Sequence, residues 1–122
     1  MHELDKFGEF FVRNFRDKAL DNLQSILEHR WKAPRLQELQ DRVARMSLED
    51  KRILHDVVDD ILTTAMHDLL FAFHEFHDSG KGPDITFDGK AVASMSDGLQ
   101  GEIFSDDGWI KKYSKHPYND NI

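Results

Sequence analysis

Histidines and carboxylates crowd one stretch of this chain: His55, Asp56, Asp59, Asp60, His67, Asp68, His74, Glu75, His77 and Asp78. Such side chains bind metals and move protons, so metal chemistry is the first reading to weigh. On a helix, Asp60, His67 and His74 align, but each seven-residue step spans about 10 Å. The ligands of one zinc ion each lie about 2 Å from it, so this aligned set does not hold a single ion. Closer pairs are His55 with Asp59 and His74 with His77. His74-Glu75-Phe76-His77 is one residue short of the metalloprotease His-Glu-x-x-His pattern. The Glu-x-x-His element of di-iron bundles is missing. A metal would need further ligands from another helix or from Asp97, Glu102, Asp106 or Asp107, and no complete motif calls for a cofactor. The plainer reading is a solvated, locally paired helix face. His67 and His74 flank Leu70 and Phe71, so with His77 and Asp60 they are also candidates for a polar seam beneath the C-terminal segment, paired with its carboxylates.

Other chemistries find less support. There is no cysteine, which excludes disulfides, thiolate catalysis and cysteine-ligated zinc. No serine sits in a Gly-x-Ser-x-Gly elbow. Gly80-Lys81-Gly82 lacks the rest of a phosphate loop, and Asp78 to Asp84 lacks the acid alternation of a calcium loop.

The long periodic segment opens at Ser47-Leu48-Glu49-Asp50, a capping signal with acids at the positive helix end. Leu54, Val58, Ile61, Leu62, Ala65, Leu69, Ala72 and Phe76 form one apolar stripe along it, and Gly80 marks its stop. Leu70, Phe71 and Phe73 widen the apolar arc in the second half, which calls for a cover there. Upstream, Phe7, Phe10, Phe11 and Phe15 define one helix face between about Leu4 and Trp31. Ala19, Leu20, Leu23, Ile26 and Leu27 define another, centred roughly 140° away. That offset predicts a break or kink near Arg16-Asp17. Ala33-Pro34 begins a further helix through Leu36, Leu39, Val43 and Met46.

After Gly80 the composition turns to Gly, Asp and aromatics. Asp88-Gly89 between two β-prone runs signals a two-residue hairpin, which must pack on the helices to persist. Asp107-Gly108 turns the chain into Trp109-Ile110-Lys111-Lys112-Tyr113. Acids beside a tryptophan suit an interface, so Asp97, Glu102, Asp106, Asp107 and Trp109 are the candidate partner-binding residues. The competing reading makes Trp109 a buried anchor for this segment.

One domain over residues 1–122 is expected from the length: helices over 1–79, a hairpin and Gly/Asp/aromatic segment over 80–113, and a frayed polar end over 114–122. The fold class is mainly α, loosely α+β, with three or four helices and a C-terminal β-hairpin and irregular segment packed on them. The formal charge of −7 disfavours nucleic acid and anionic membranes and favours a basic protein partner. Nothing resembles a spanning segment or a signal peptide's apolar core, which makes the cytoplasm the default location. The function these features favour is a non-enzymatic acidic interaction domain, acting as a binder, inhibitor or small regulatory subunit. The alternatives are a helical metal-binding protein or metal-dependent enzyme, and a homo-oligomeric structural protein, a homodimer in its simplest form.

Overall fold

The phenylalanine-rich start of the chain is helical as expected, and its change of face governs how the later elements pack on it. In the computed structural model, which describes residues 2–116, α1 spans Glu3–Phe11 and α2 spans Lys18–Leu27. Between them the helix does not stop. It passes through a π-helical segment, Val12–Asp17, at the place where the two apolar sets lose register. A π turn takes up one extra residue, which rotates everything downstream back by about 100° on an α-helical wheel. The 140° mismatch read from the sequence thereby falls to roughly 40°, so Leu20 and Leu23 are buried on nearly the same side as Phe7 and Phe11. The kink expected near Arg16-Asp17 is this wound-in residue.

A short connection then leads to α3, Pro34–Ala44, with the proline in its first turn. Buried Gln40 of α3 holds that connection on both sides. It accepts from the Trp31 amide (3.0 Å) and donates to the Trp31 carbonyl (2.9 Å). The longest element, α4, covers Leu48–Ser79. Ser47 Oγ accepts from the Asp50 amide at 3.0 Å, and Gly80 closes the helix in the left-handed conformation at φ 69°.

Two two-residue strands come next, β1 (Thr86–Phe87) and β2 (Lys90–Ala91). They are antiparallel, with Thr86 opposite Ala91 and Phe87 opposite Lys90. Asp88 and Gly89 both have positive φ, 51° and 79°, as the tight turn of a right-twisting hairpin requires. Two 3-10 turns, Val92–Met95 and Leu99–Ile103, lead to the short α5, Trp109–Tyr113. The protein is thus mainly helical with a small C-terminal antiparallel hairpin.

The main core lies between α1, the distal half of α4 and the C-terminal segment. Leu4, Phe7, Phe11 and Val12 meet Met66 and Leu70 there, together with Val92, Leu99, Ile103, Trp109 and Ile110. Trp109 is its largest member, edge-on to Phe7 with ring centroids 5.8 Å apart. Gly8 makes this contact feasible, because a Cβ there would lie 2.3 Å from the indole.

The segment after Gly80 folds onto distal α4 where Leu70 and Phe73 widen the apolar arc, as expected, and leaves most of the longer stripe uncovered. The buried line is Asp59, Thr63, Met66 and Leu70, roughly a third of a turn from the stripe running from Leu54 to Phe76. Leu62 and Phe73 pack at the edge of the core. Ile61, Leu69, Phe71 and Phe76 remain exposed, so of the residues that widen the arc the C-terminal segment covers Leu70 and part of Phe73 but not Phe71.

Candidate functional site

The C-terminal acids do not assemble into a site. Asp97, Asp106 and Asp107 are exposed, and Asp106 lies 3.4 Å from Lys111. Glu102 faces Ser96, whose hydroxyl donates to it at 3.2 Å. Trp109 is only 1% exposed. It anchors the segment on Gly8 and Phe7, and the expectation of a presented Trp109 is corrected accordingly. Its indole sits where Gly8 leaves room for it, a contact that its position beside acids does not reveal.

Of the histidines, only His77 pairs with a carboxylate of the C-terminal segment, as the seam requires. His67 Nδ1 lies 3.1 Å from Asp68, and its ring stacks on Phe71 and approaches Phe104. His77 Nδ1 lies 2.8 Å from Asp84, just beyond the helix end. His74 Nδ1 accepts from the buried Leu99 amide at 3.2 Å, while its Nε2 lies 3.7 Å from Asp78. The seam between α4 and the C-terminal segment therefore rests on two histidines, His77 with the Asp84 carboxylate and His74 with a backbone N–H. Asp97, Glu102, Asp106 and Asp107 do not converge on His67 or His74, and Asp60 points away on the outer side of α4, beside Ile53 and Val57. Among the described residues, no three His, Asp or Glu side chains converge as metal ligands would.

A buried polar constellation around Arg16 was missed by sequence reasoning. Arg16, in the π-helical segment, is completely buried. Its Nη1 lies 2.7 Å from Asp59 Oδ1 and donates to Thr63 Oγ1 at 3.0 Å. Thr63 in turn donates to Asp59 at 3.3 Å. The other edge of the guanidinium, Nε and Nη2, forks onto the His116 carbonyl at 3.2 and 3.1 Å. Asp17 receives the Ser114 hydroxyl at 2.6 Å and the Lys115 amide at 3.2 Å.

One turn on, Asp21 meets Lys115 Nζ at 2.7 Å and His116 Nε2 at 2.8 Å. Hydrogen bonds from Lys115 and then His116 hold its carboxyl below the ordinary 3.8. Ser114, Lys115 and His116 are thus tied down, and residues 117–122 lie outside the described region. Chemically this is a clasp. The guanidinium has no solvent access, and the His116 ring faces Asp21 and not the Ser114 hydroxyl, so no nucleophile–base pair forms. The available signal was positional: Arg16 sits where the two apolar registers cross.

The solvent side of α4 was under-read as well. From Ile53 to Ser79 the helix contains no Lys or Arg, yet it carries Asp56, Asp59, Asp60, Asp68, Glu75 and Asp78. Only Asp59, among the described residues, is neutralised by an arginine. Among the described residues Asp60 and Glu75 have no ion-pair partner. Between these acids Ile53, Val57 and Ile61 stand 52%, 47% and 62% exposed. With Asp56 and Asp60 they line one shallow groove.

No protein-family model, curated protein or solved structure matches this chain. Among the described residues, no helix is long and apolar enough to cross a membrane.

Proposed function

We propose that the chain is a non-enzymatic acidic interaction domain whose partner is a basic protein. The observation that carries this reading is the outer side of α4, where carboxylates go unanswered by any Lys or Arg over 27 positions, Ile53 to Ser79. A folded protein that gathers one sign of charge on one rigid element incurs self-repulsion, and gains steering of an oppositely charged partner. The buried clasp and the buried Trp109 support a scaffold role for the rest of the molecule. A binder, an inhibitor and a small regulatory subunit all share this recognition chemistry. The acids proposed to meet the partner move accordingly from the C-terminal segment to α4, with exposed Asp106 and Asp107 as outlying charges.

Selection of peptides from an unbiased displayed library tests the reading. Enriched sequences are expected to be rich in Lys and Arg, and their affinity to fall steeply as salt rises. Enrichment of neutral or acidic peptides, or affinities indifferent to salt, would overturn it.

A further inference from the structure

The unpartnered face on the N-terminal half of α4 has a definite shape. Ile53, Val57 and Ile61 are spaced i, i+4, i+8, so their side chains form a ridge about 12 Å long. All three are large, aliphatic and roughly half exposed or more. Asp56 and Asp60 share the groove with them. Asp60 has no ion-pair partner among the described residues, and Asp56 has only His55, at 3.5 Å. The surface therefore offers an apolar strip with carboxylates along it that, among the described residues, no Lys or Arg neutralises.

We propose that this groove docks an amphipathic helix of a basic partner protein, with α4 as the receiving helix. Apolar residues of the partner at i, i+4 and i+7 cover Ile53, Val57 and Ile61, and Lys or Arg side chains flanking that strip reach Asp56 and Asp60. Helix-in-groove recognition uses this spacing, and the charges fix register and approach. The inference rests on the acidic-domain reading and adds to it a site, a partner conformation and an anchor pattern.

Charge complementarity selects this occupant over the others. A second copy laid on the same face would bring Asp56 and Asp60 against carboxylates, between chains that each carry −7. The cations of its own α4, Lys51 and Arg52, precede Ile53, and Arg52 already faces Glu49 at 3.9 Å. Like charges placed together at an interface select against pairing. A nucleic acid or an anionic lipid surface meets the same repulsion.

The test uses the whole chain and two synthetic helical peptides of identical composition. In one, leucines repeat at i, i+4 and i+7 between lysines. In the other, the leucines are scattered around the helix. Fluorescence anisotropy at low and high salt gives their affinities. The striped peptide is expected to bind at least roughly tenfold more tightly than the scattered one. Val57→Ser with Ile61→Ser is expected to weaken the striped peptide by about tenfold and to leave the scattered one unchanged. Asp56→Asn with Asp60→Asn is expected to weaken both and to flatten the salt dependence. If the serine variant binds both peptides as the parent chain does, the groove is not the site, whereas the acidic-domain reading survives. If neither peptide binds at low salt, both fail. If sedimentation shows a dimer of the parent chain that the serine variant dissolves, the occupant is a second copy and the proposal is overturned.

Discussion

The two sides of α4 invert the usual arrangement. The covered side places Asp59 and Thr63 in the interior, and Met66 and Leu70 lie further along the same buried line. The open side leaves Ile53, Val57, Ile61, Leu69 and Phe76 in solvent. Hydrophobic burial alone would rotate the helix by about a third of a turn and hide the longer aliphatic stripe. It does not, because Arg16 is already inside. The π-helical segment aims its guanidinium at α4, and a buried cation needs an anion and further acceptors. Asp59, Thr63 and the His116 carbonyl supply them. The polar contact and the burial of Met66 and Leu70 together hold this rotation, and they leave Ile53, Val57 and Ile61 uncovered.

The largest effect is expected where this constraint is broken. Asp59→Ala leaves Arg16 buried without its counter-ion, and about 3–5 kcal/mol of stability should be lost. The Thr63 hydroxyl and the His116 carbonyl remain as neutral acceptors and do not replace the charge. Arg16→Met combined with Asp59→Leu removes both charges and should recover most of that loss, although the His116 carbonyl gives up its donors. Urea denaturation of the three proteins checks the series. A single-variant loss under about 1 kcal/mol would mean that the pair is wet and does not set the helix rotation.

Much of the scaffold was legible because its signals are local. Ser47 caps α4 through a neighbour three residues away, Gly80 ends it, Pro34 begins α3, and Asp88-Gly89 makes the hairpin turn. The register change near Arg16-Asp17 was legible as an offset between two apolar sets. The polar part of the covered side of α4 was not. Arg16 meets Thr63 across 47 positions and His116 across 100, distances at which no periodicity operates. Asp59 stands among Asp56 and Asp60, and spacing alone does not say which carboxylate turns inward. Trp109 misled for a related reason: the glycine that receives it, Gly8, is 101 residues away and leaves no mark near it in the sequence.

A smaller effect is expected on the open side. Ile61→Ser removes a side chain that is 62% exposed, so stability should change by no more than about 0.5 kcal/mol. Thermal unfolding at several protein concentrations checks this. A loss of about 2 kcal/mol or more, or a melting temperature that rises with concentration, would show that this side is covered in solution. The comparison between a covered side that contains Asp59 and Thr63 and an open side that exposes Ile53, Val57 and Ile61 would then collapse.

The smallest effects belong to two exposed contacts that bracket α2 and respond to pH in opposite directions. Asp21 holds Lys115 and His116 and has its carboxyl lowered from 3.8 by their hydrogen bonds. A lowered acid contributes stability that is present above the ordinary carboxylate value and is lost as pH falls through the lowered one. His29 lies 2.7 Å from Asp41 of α3, and that hydrogen bond raises its ring from 6.5. A raised base contributes stability that is present below 6.5 and is lost as pH climbs through the raised value. NMR titration of the Asp21 carboxyl carbon and the His29 ring should therefore give midpoints on opposite sides of their ordinary values. Hydrogen-exchange protection of the Lys115 amide should fall on acidification, and that of residues 29–33 should fall as the solution turns alkaline. A reversed sign at Asp21 would detach Lys115 and His116 from α2, leaving the buried fork of Arg16 on the His116 carbonyl as the stronger half of the clasp.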